Sequence, residues 1–356
     1  LKPFWLKACR ELSFPRPATV APAMVSRALP ALWALPALLA PVSTAVGAAE
    51  ARQTPPAPLS VGVLEPEASH AAFSERFTRD GLVRFRLGPT QGLEDALRLV
   101  DSFLLPQGLH RNQMATERTN GKTLNPTNDT TQGSPQRIAF VNNHVLAPAD
   151  QTTQGPHQEG ATSSRNNRRI VVFYCEEPAD VDGDTALFDM QRAWPNLPEH
   201  LQERLRNAHW GQRDPKGMLI KVPAAVRHEV TGDPCLQFYC FGKVARDCND
   251  VYREKTGRYH VRADPFTYMI HPDVDLFVYP KNGPPTPFIG LDLYQLLSAI
   301  YDSMYTHHWQ RGDVIVVDNV RFAHARLEGS GEKRVIRFFT YGPEDRSFDL
   351  NLFKRP

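Results

Sequence analysis

His157, Glu159 and His324 are the residues of this chain best able to do chemistry as a set. His157 and Glu159 flank a single glutamine, in His157-Gln158-Glu159, and His324 lies far downstream in the run GDVIVVDNVRFAHARLEGSGEKRVIRF. Two imidazoles and one carboxylate can hold a non-haem Fe(II) on one face and leave the other face open for reaction. Residues i and i+2 of a strand point to the same side, so His157 and Glu159 are expected to reach one metal while Gln158 faces away. The third ligand must then come from a distant strand, and His324 sits in a stretch of that character. A lone HxE pair is a weak signal, so its weight depends on the elements around it.

Apolar periodicity outlines those elements. Residues 70–80 read as a short amphipathic helix, followed by Gly81 and a strand over 82–85, and 92–105 reads as a second helix. The stretch 111–136 is rich in Asn, Thr, Gln and Gly, too long for an ordinary connection and too polar for core, and is expected to be a mobile loop or a lid. Strands are expected at RIAFVNN, around HQE, and over 168–178, where Val171, Phe173 and Cys175 share one face and Val172 and Tyr174 the other. DVDGDTALFDMQRAW gives a turn and a short strand, followed by a helix over 198–207. Residues 208–290 read as strands (218–222, 235–241), turns and Pro-rich loops, supplying pocket walls and a second lid. A helix over 292–306, with Leu293, Leu296, Leu297, Ile300 and Met304 on one stripe, precedes strands over 314–318 and 334–341. The chain is therefore expected to be mainly β with inserted helices (α+β), as a β-sandwich or jelly roll.

Two stretches carry a family resemblance: PHQEGATSSRNNRRIVVFYCEEPADVDGDTALFDMQ and HWQRGDVIVVDNVRFAHARLEGSGEKRVIRF. Over roughly 138–342 the chain resembles the taurine dioxygenase and clavaminate synthase-like superfamily, Fe(II)- and 2-oxoglutarate-dependent oxygenases on a cupin-like double-stranded β-helix. HxE, FYCE-P-GDT, W-x-x-GDV-DN, and then a histidine and a basic strand follow one another in the family's order. The resemblance implies that His157, Glu159 and His324 are the metal ligands. It also implies 2-oxoglutarate and O2 as co-substrates, with release of succinate and CO2 as a small molecule is hydroxylated or desaturated.

The far carboxylate of 2-oxoglutarate needs a cation of fixed geometry, and the planar guanidinium fork suits it. In the family this arginine follows the second histidine by roughly ten or more residues, a distance that Arg334 and Arg337 both satisfy. Their odd separation puts them on opposite faces of a strand, so one alone points inward. Arg334 sits in KRVI, matching the family's R-R-V-L pattern, with its face continuing through Ile336 and Phe338. Arg334 is thus preferred, and Arg337 is the alternative, otherwise an outward-facing surface charge. Thr185, in GDT, matches the hydroxyl that touches the same carboxylate, although Asp182-Gly183 stands where the family has two glycines. Asp318-Asn319 and Arg326 are expected to support the ligands, and Trp309 to pack.

The substrate is less legible. The branch of the superfamily most like this chain is linked to amino acids and metabolites derived from them. Taurine-type members carry a second inward arginine four positions after the first; here that position is Phe338, so a simple sulfonate is not expected. Glu159 fills the position that a halogenating member opens for halide. Competing readings are a zinc- or manganese-dependent hydrolase or lyase, which has no use for Arg334 and Thr185, and a catalytically silent metal-binding protein.

Bulk properties set the remaining bounds. With 356 residues, 41% of them hydrophobic, the chain can bury a full core, and a net charge of +2 gives no electrostatic case for nucleic acid. Five cysteines, Cys9, Cys175, Cys235, Cys240 and Cys248, show no paired zinc spacing, and buried thiols or one bridge among the last three both fit. Residues 1–60 read as a leader and an Ala/Pro-rich linker, and 61–356 as the oxygenase domain. Met24 is the first methionine, leaving residues 1–23 open to being untranslated. From Met24 a basic residue, an apolar stretch and then small residues follow in order, as in a leader to a plastid-type organelle or the secretory pathway, with a cytoplasmic protein as the alternative. Pro30, Pro36 and Pro41 interrupt the apolar stretch, so no stable membrane insertion is expected. Nothing in the sequence sets the oligomeric state.

Overall fold

A computed structural model describes residues 61–111, 141–144, 152–159, 169–213, 219–239, 244–263, 276–330 and 334–343. Most of the polar stretch expected to be a lid lies outside them. Nine strands position the site: β1 Leu82–Arg86, β2 Leu109–Arg111, β3 Val141–His144, β4 Ile170–Glu177, β5 Thr185–Asp189, β6 Met304–His307, β7 Asp313–Asp318, β8 Phe322–Arg326 and β9 Arg334–Pro343. Six of them form one antiparallel sheet in the order β1-β7-β4-β9-β2, with β3 also pairing β9. The other three form a small antiparallel sheet in the order β6-β5-β8.

Alternation along the strands sorts the core into layers. In β4, Ile170, Val172 and Tyr174 pack with Phe73, Val100 and Phe103 of the helices His70–Asp80 and Leu93–Leu104. Val171, Phe173 and Cys175 face the other way and meet Leu187 of β5 and Phe322 of β8. This is the division expected from the sequence. A strand apolar on both faces belongs in the interior, and β4 is the central strand of the large sheet. The outer face of the small sheet, through Ala186, Phe188, Ala323 and Ala325, carries the largest cluster, with Leu201, Leu205, Val251, Tyr252, Leu296 and Ile300 from the covering helices.

Three expectations need correction. The helix read over 292–306 is Gly290–Asp302; Met304 begins β6, where pairing of Met304–His307 with Phe188–Thr185 outweighs continuation of the helical stripe. Residues 208–290 contain a helix, Val244–Thr256, that the sequence reading lacked, although Val244, Ala245, Cys248, Val251 and Tyr252 repeat at helical spacing and are all buried. The described part of 208–290 also forms a four-stranded sheet of Thr286–Pro287, Phe277–Tyr279, His209–Arg213 and Leu219–Pro223. Trp210, Val222 and Val278 of that sheet lie in the largest core cluster. Finally, the HQE run is not a strand: His157 makes isolated bridges, and the chain leaves the sheet at Gln158. Among the described residues no helix is long and apolar enough to cross a membrane.

Candidate metal centre and anion pocket

β8 turns Phe322, His324 and Arg326 toward the space between the sheets, while Ala323 and Ala325 face the helices. One edge of β8 pairs with β5, setting His324 opposite Leu187 and Arg326 opposite Thr185. On its other edge His324 exchanges both backbone bonds with His157: the His157 N–H donates to the His324 carbonyl at 3.0 Å and the reverse bond is 2.8 Å. Residues directly opposite across an antiparallel pair present side chains to the same face. The two imidazoles accordingly meet, with ring centroids 4.3 Å apart.

Gln158 is buried and faces away, as expected. Its Oε1 accepts from the Phe238 N–H at 2.9 Å, and its Nε2 donates to the Val320 and Leu236 carbonyls at 2.8 and 3.3 Å. That anchorage returns Glu159 to the imidazole side, where its Oε1 lies 3.6 Å from Nε2 of both His157 and His324. All three ligand atoms lie within 4.8 Å of one another, the one such cluster among the described residues.

The protonation states suit a divalent cation. His157 Nδ1 lies 3.0 Å from the Gly155 carbonyl, which only accepts, so Nδ1 donates there and Nε2 is the nitrogen turned toward a metal. Burial, helped by the neighbouring His157, pushes the His324 imidazole down to about 4, so it is neutral at neutral pH. Burial alone would raise the Glu159 carboxyl, but the two imidazoles outweigh it and hold the group well below the usual carboxylate range. Two imidazole nitrogens and one anionic oxygen is a donor set that fits Fe(II).

Arg334 lies on the inner face of β9 and is 3% exposed. Its Nε donates to the Gly183 carbonyl, and an Nη donates to Thr185 Oγ1 at 3.1 Å. Thr185 Oγ1 also accepts from Trp309 Nε1 at 2.9 Å, a bond that packing arguments from the sequence did not reveal. Arg334 has no ion pair with a carboxylate among the described residues, and burial, with Arg326 beside it, lowers its guanidinium to about 9 against the pull of Asp184. A buried guanidinium with no ion-paired carboxylate among the described residues is suited to receive an anion.

Arg337 faces the opposite side, as the parity of the strand requires. It is not the surface charge expected, however: the side chain is 5% exposed and pairs with Glu176 of β4. Sequence reasoning also missed Tyr239, which bridges His157 on the side away from His324, its ring centroid 5.4 Å from the imidazole. It belongs to a stretch read as a strand but without a motif, so nothing marked it as a site residue. Phe173 and Phe338 flank His324 with centroids at 5.1 and 6.0 Å. Both fall on the face that strand alternation had assigned them.

The turn before Thr185 adopts left-handed backbone at both Asp182 (φ 54°) and Gly183 (φ 73°), so aspartate occupies a conformation that it tolerates better than most residues. The turn is held from beside by Gly329, where an added Cβ would lie 2.3 Å from the Gly183 nitrogen. Gly329→Ala is therefore expected to cost about 1–3 kcal/mol in urea denaturation, as overpacking does, and to weaken anion binding at Arg334 in parallel by displacing Thr185.

Comparison with known proteins adds the following. The model of the taurine catabolism dioxygenase TauD, TfdA family matches residues 51–339. The PvcB protein from Pseudomonas aeruginosa aligns in structure with a TM-score of 0.50 at 15% sequence identity, over 82% of this chain and 86% of that one. A taurine dioxygenase from Burkholderia xenovorans aligns with a TM-score of 0.46 at 16% identity, over 80% and 89%. No curated protein sequence matches the chain. At such identities the likeness to PvcB speaks for the fold alone.

Proposed function

The chain belongs to the taurine catabolism dioxygenase TauD, TfdA family and is an Fe(II)- and 2-oxoglutarate-dependent oxygenase, and on that premise we propose that it oxidises a small, amino-acid-derived molecule at a centre held by His157, Glu159 and His324. The observation that carries the assignment is the convergence of His157 Nε2 and His324 Nε2 on one carboxylate oxygen of Glu159. Bound there, Fe(II) with 2-oxoglutarate supplies the O2-dependent oxidation of a C–H bond, with succinate and CO2 as co-products.

The remaining roles follow from this chain's own side chains. Arg334 pairs with the far carboxylate of 2-oxoglutarate in a site that water reaches poorly. Thr185 Oγ1 already accepts from Arg334 and Trp309, so its hydroxyl proton is left to donate to that carboxylate. Phe173 and Phe338 exclude water beside His324. The two facing antiparallel sheets support reading 61–356 as a double-stranded β-helix of the jelly-roll, cupin-like kind. The order of basic, apolar and small residues after Met24 supports residues 1–60 as a leader and linker that direct the protein to a plastid-type organelle or the secretory pathway.

For the substrate, Phe338 lies on the inner face four residues after Arg334 and gives that wall no charge, which favours an apolar group there over a sulfonate. Anaerobic addition of 2-oxoglutarate to the Fe(II)-loaded protein is expected to produce a weak visible charge-transfer band, and admission of O2 to release succinate. Taurine is expected not to accelerate that release. A band that never appears in iron-loaded protein would remove the oxygenase assignment, and rapid taurine turnover would remove the substrate reading alone.

A further inference from the structure

We infer that Asn319 is a positioning residue for the metal centre, gripping the Glu159 ligand by both polar groups of its backbone. The inference rests on the metal-site assignment above. Backbone N–H and C=O groups beside a strand pairing are normally satisfied by the neighbouring strand. His157 obeys this with His324, and two residues later a side chain serves the Glu159 backbone. Instead the Glu159 N–H donates to Asn319 Oδ1 at 2.9 Å, and Asn319 Nδ2 donates to the Glu159 carbonyl at 2.9 Å. An N–H only donates and a carbonyl only accepts, so the two partners together fix which way the amide points.

Asn319 is itself held on all sides. It is 3% exposed, and its own N–H donates to the Arg169 carbonyl at 3.1 Å. The preceding Asp318 carboxylate accepts from the Val320 and Arg321 N–H groups at 2.9 and 3.3 Å, from His228 Nε2 at 2.9 Å, and from Arg169. The turn that carries Asn319 runs straight into β8 and His324. One amide therefore ties the carboxylate ligand to the turn that leads into the strand bearing the imidazole ligand. Aspartate would lack the donor, and serine has one atom where the grip needs two.

The test is titration of the apo-protein with Co(II), reading both affinity and the d–d absorption of the bound ion. Asn319→Ala is expected to weaken Co(II) binding about 10–100-fold, the usual effect of losing an outer partner of a metal ligand, and to change the d–d spectrum, with far-UV circular dichroism unchanged. Asn319→Ser, which keeps one bond at most, is expected to fall between, and it carries the test if the alanine variant does not fold. A folded Asn319→Ala or Asn319→Ser protein with wild-type affinity and spectrum would overturn the inference, even if its melting temperature fell. Failure of the underlying site looks different: wild type and Glu159→Ala would then titrate alike.

Discussion

Arg334→Ala is expected to weaken 2-oxoglutarate binding by on the order of a hundredfold or more while leaving metal binding near wild type. The guanidinium is buried, has no carboxylate partner among the described residues, and is aimed by the Gly183 carbonyl and the Thr185 hydroxyl. Truncating one member of a buried charge pair costs about 2–5 kcal/mol, and each 1.4 kcal/mol is a factor of ten. Isothermal titration with 2-oxoglutarate in the presence of Mn(II) separates the two effects. Arg337→Ala is the control: its partner is Glu176, on the opposite side of the sheet from the pocket, so 2-oxoglutarate affinity is expected to stay within about twofold of wild type, the context-dependence of single contacts. If the Arg337 variant loses 2-oxoglutarate and the Arg334 variant keeps it, the assignment of the Arg334 face of β9 to the pocket is wrong.

Glu159→Ala is expected to lose metal more severely than any change outside the ligand set, well beyond the 10–100-fold typical of outer partners. Without the carboxylate the site offers two neutral imidazoles in a buried setting, where a divalent cation has no counter-charge from the ligand atoms. The same change removes the group that opposes burial at His324, so in the apo-protein that imidazole is expected to stay neutral to lower pH than in wild type. Electron paramagnetic resonance of Mn(II) added at increasing concentration checks the first point. Free-ion signal matching a protein-free control is the expected result, and saturable binding at wild-type concentrations would exclude Glu159 as a ligand.

Much of this site was legible because its residues are of types that rarely coincide. His157, Glu159 and His324 were readable from ligand chemistry and the order of the surrounding motifs; strand parity put Arg334 and Arg337 on opposite faces, and the match of KRVI to the family pattern chose Arg334. The faces of β4 were readable because each side of that strand is buried by a different layer. What could not be read is what depends on side chains taking the place of backbone. His157-Gln158-Glu159 looks like a strand because its side chains alternate as in one, yet Gln158 is fastened by its own amide to Phe238 and Val320 rather than by a ladder. The end of the Gly290–Asp302 helix was missed because Met304 continues its apolar stripe, and only pairing with β5 decides otherwise. Tyr239 reaches the site through a single bridge from a stretch whose strand pattern says nothing of which distant residue it meets.

The register between β5 and β8 has a consequence for the choice of co-substrate. His324 is opposite Leu187 and Arg326 is opposite Thr185, so Thr185 stands two residues along the ladder from the level of the histidine ligand. Two residues of antiparallel strand span about 6.8 Å. On the proposed roles, that pitch is a ruler: one end of the diacid is gripped at the metal and the other at Thr185 and Arg334. A dicarboxylate one carbon shorter or longer than 2-oxoglutarate would satisfy one end only. Discrimination by chain length would then come from the repeat of the sheet, and mutation of a single contacting side chain would weaken binding without shifting the preferred length.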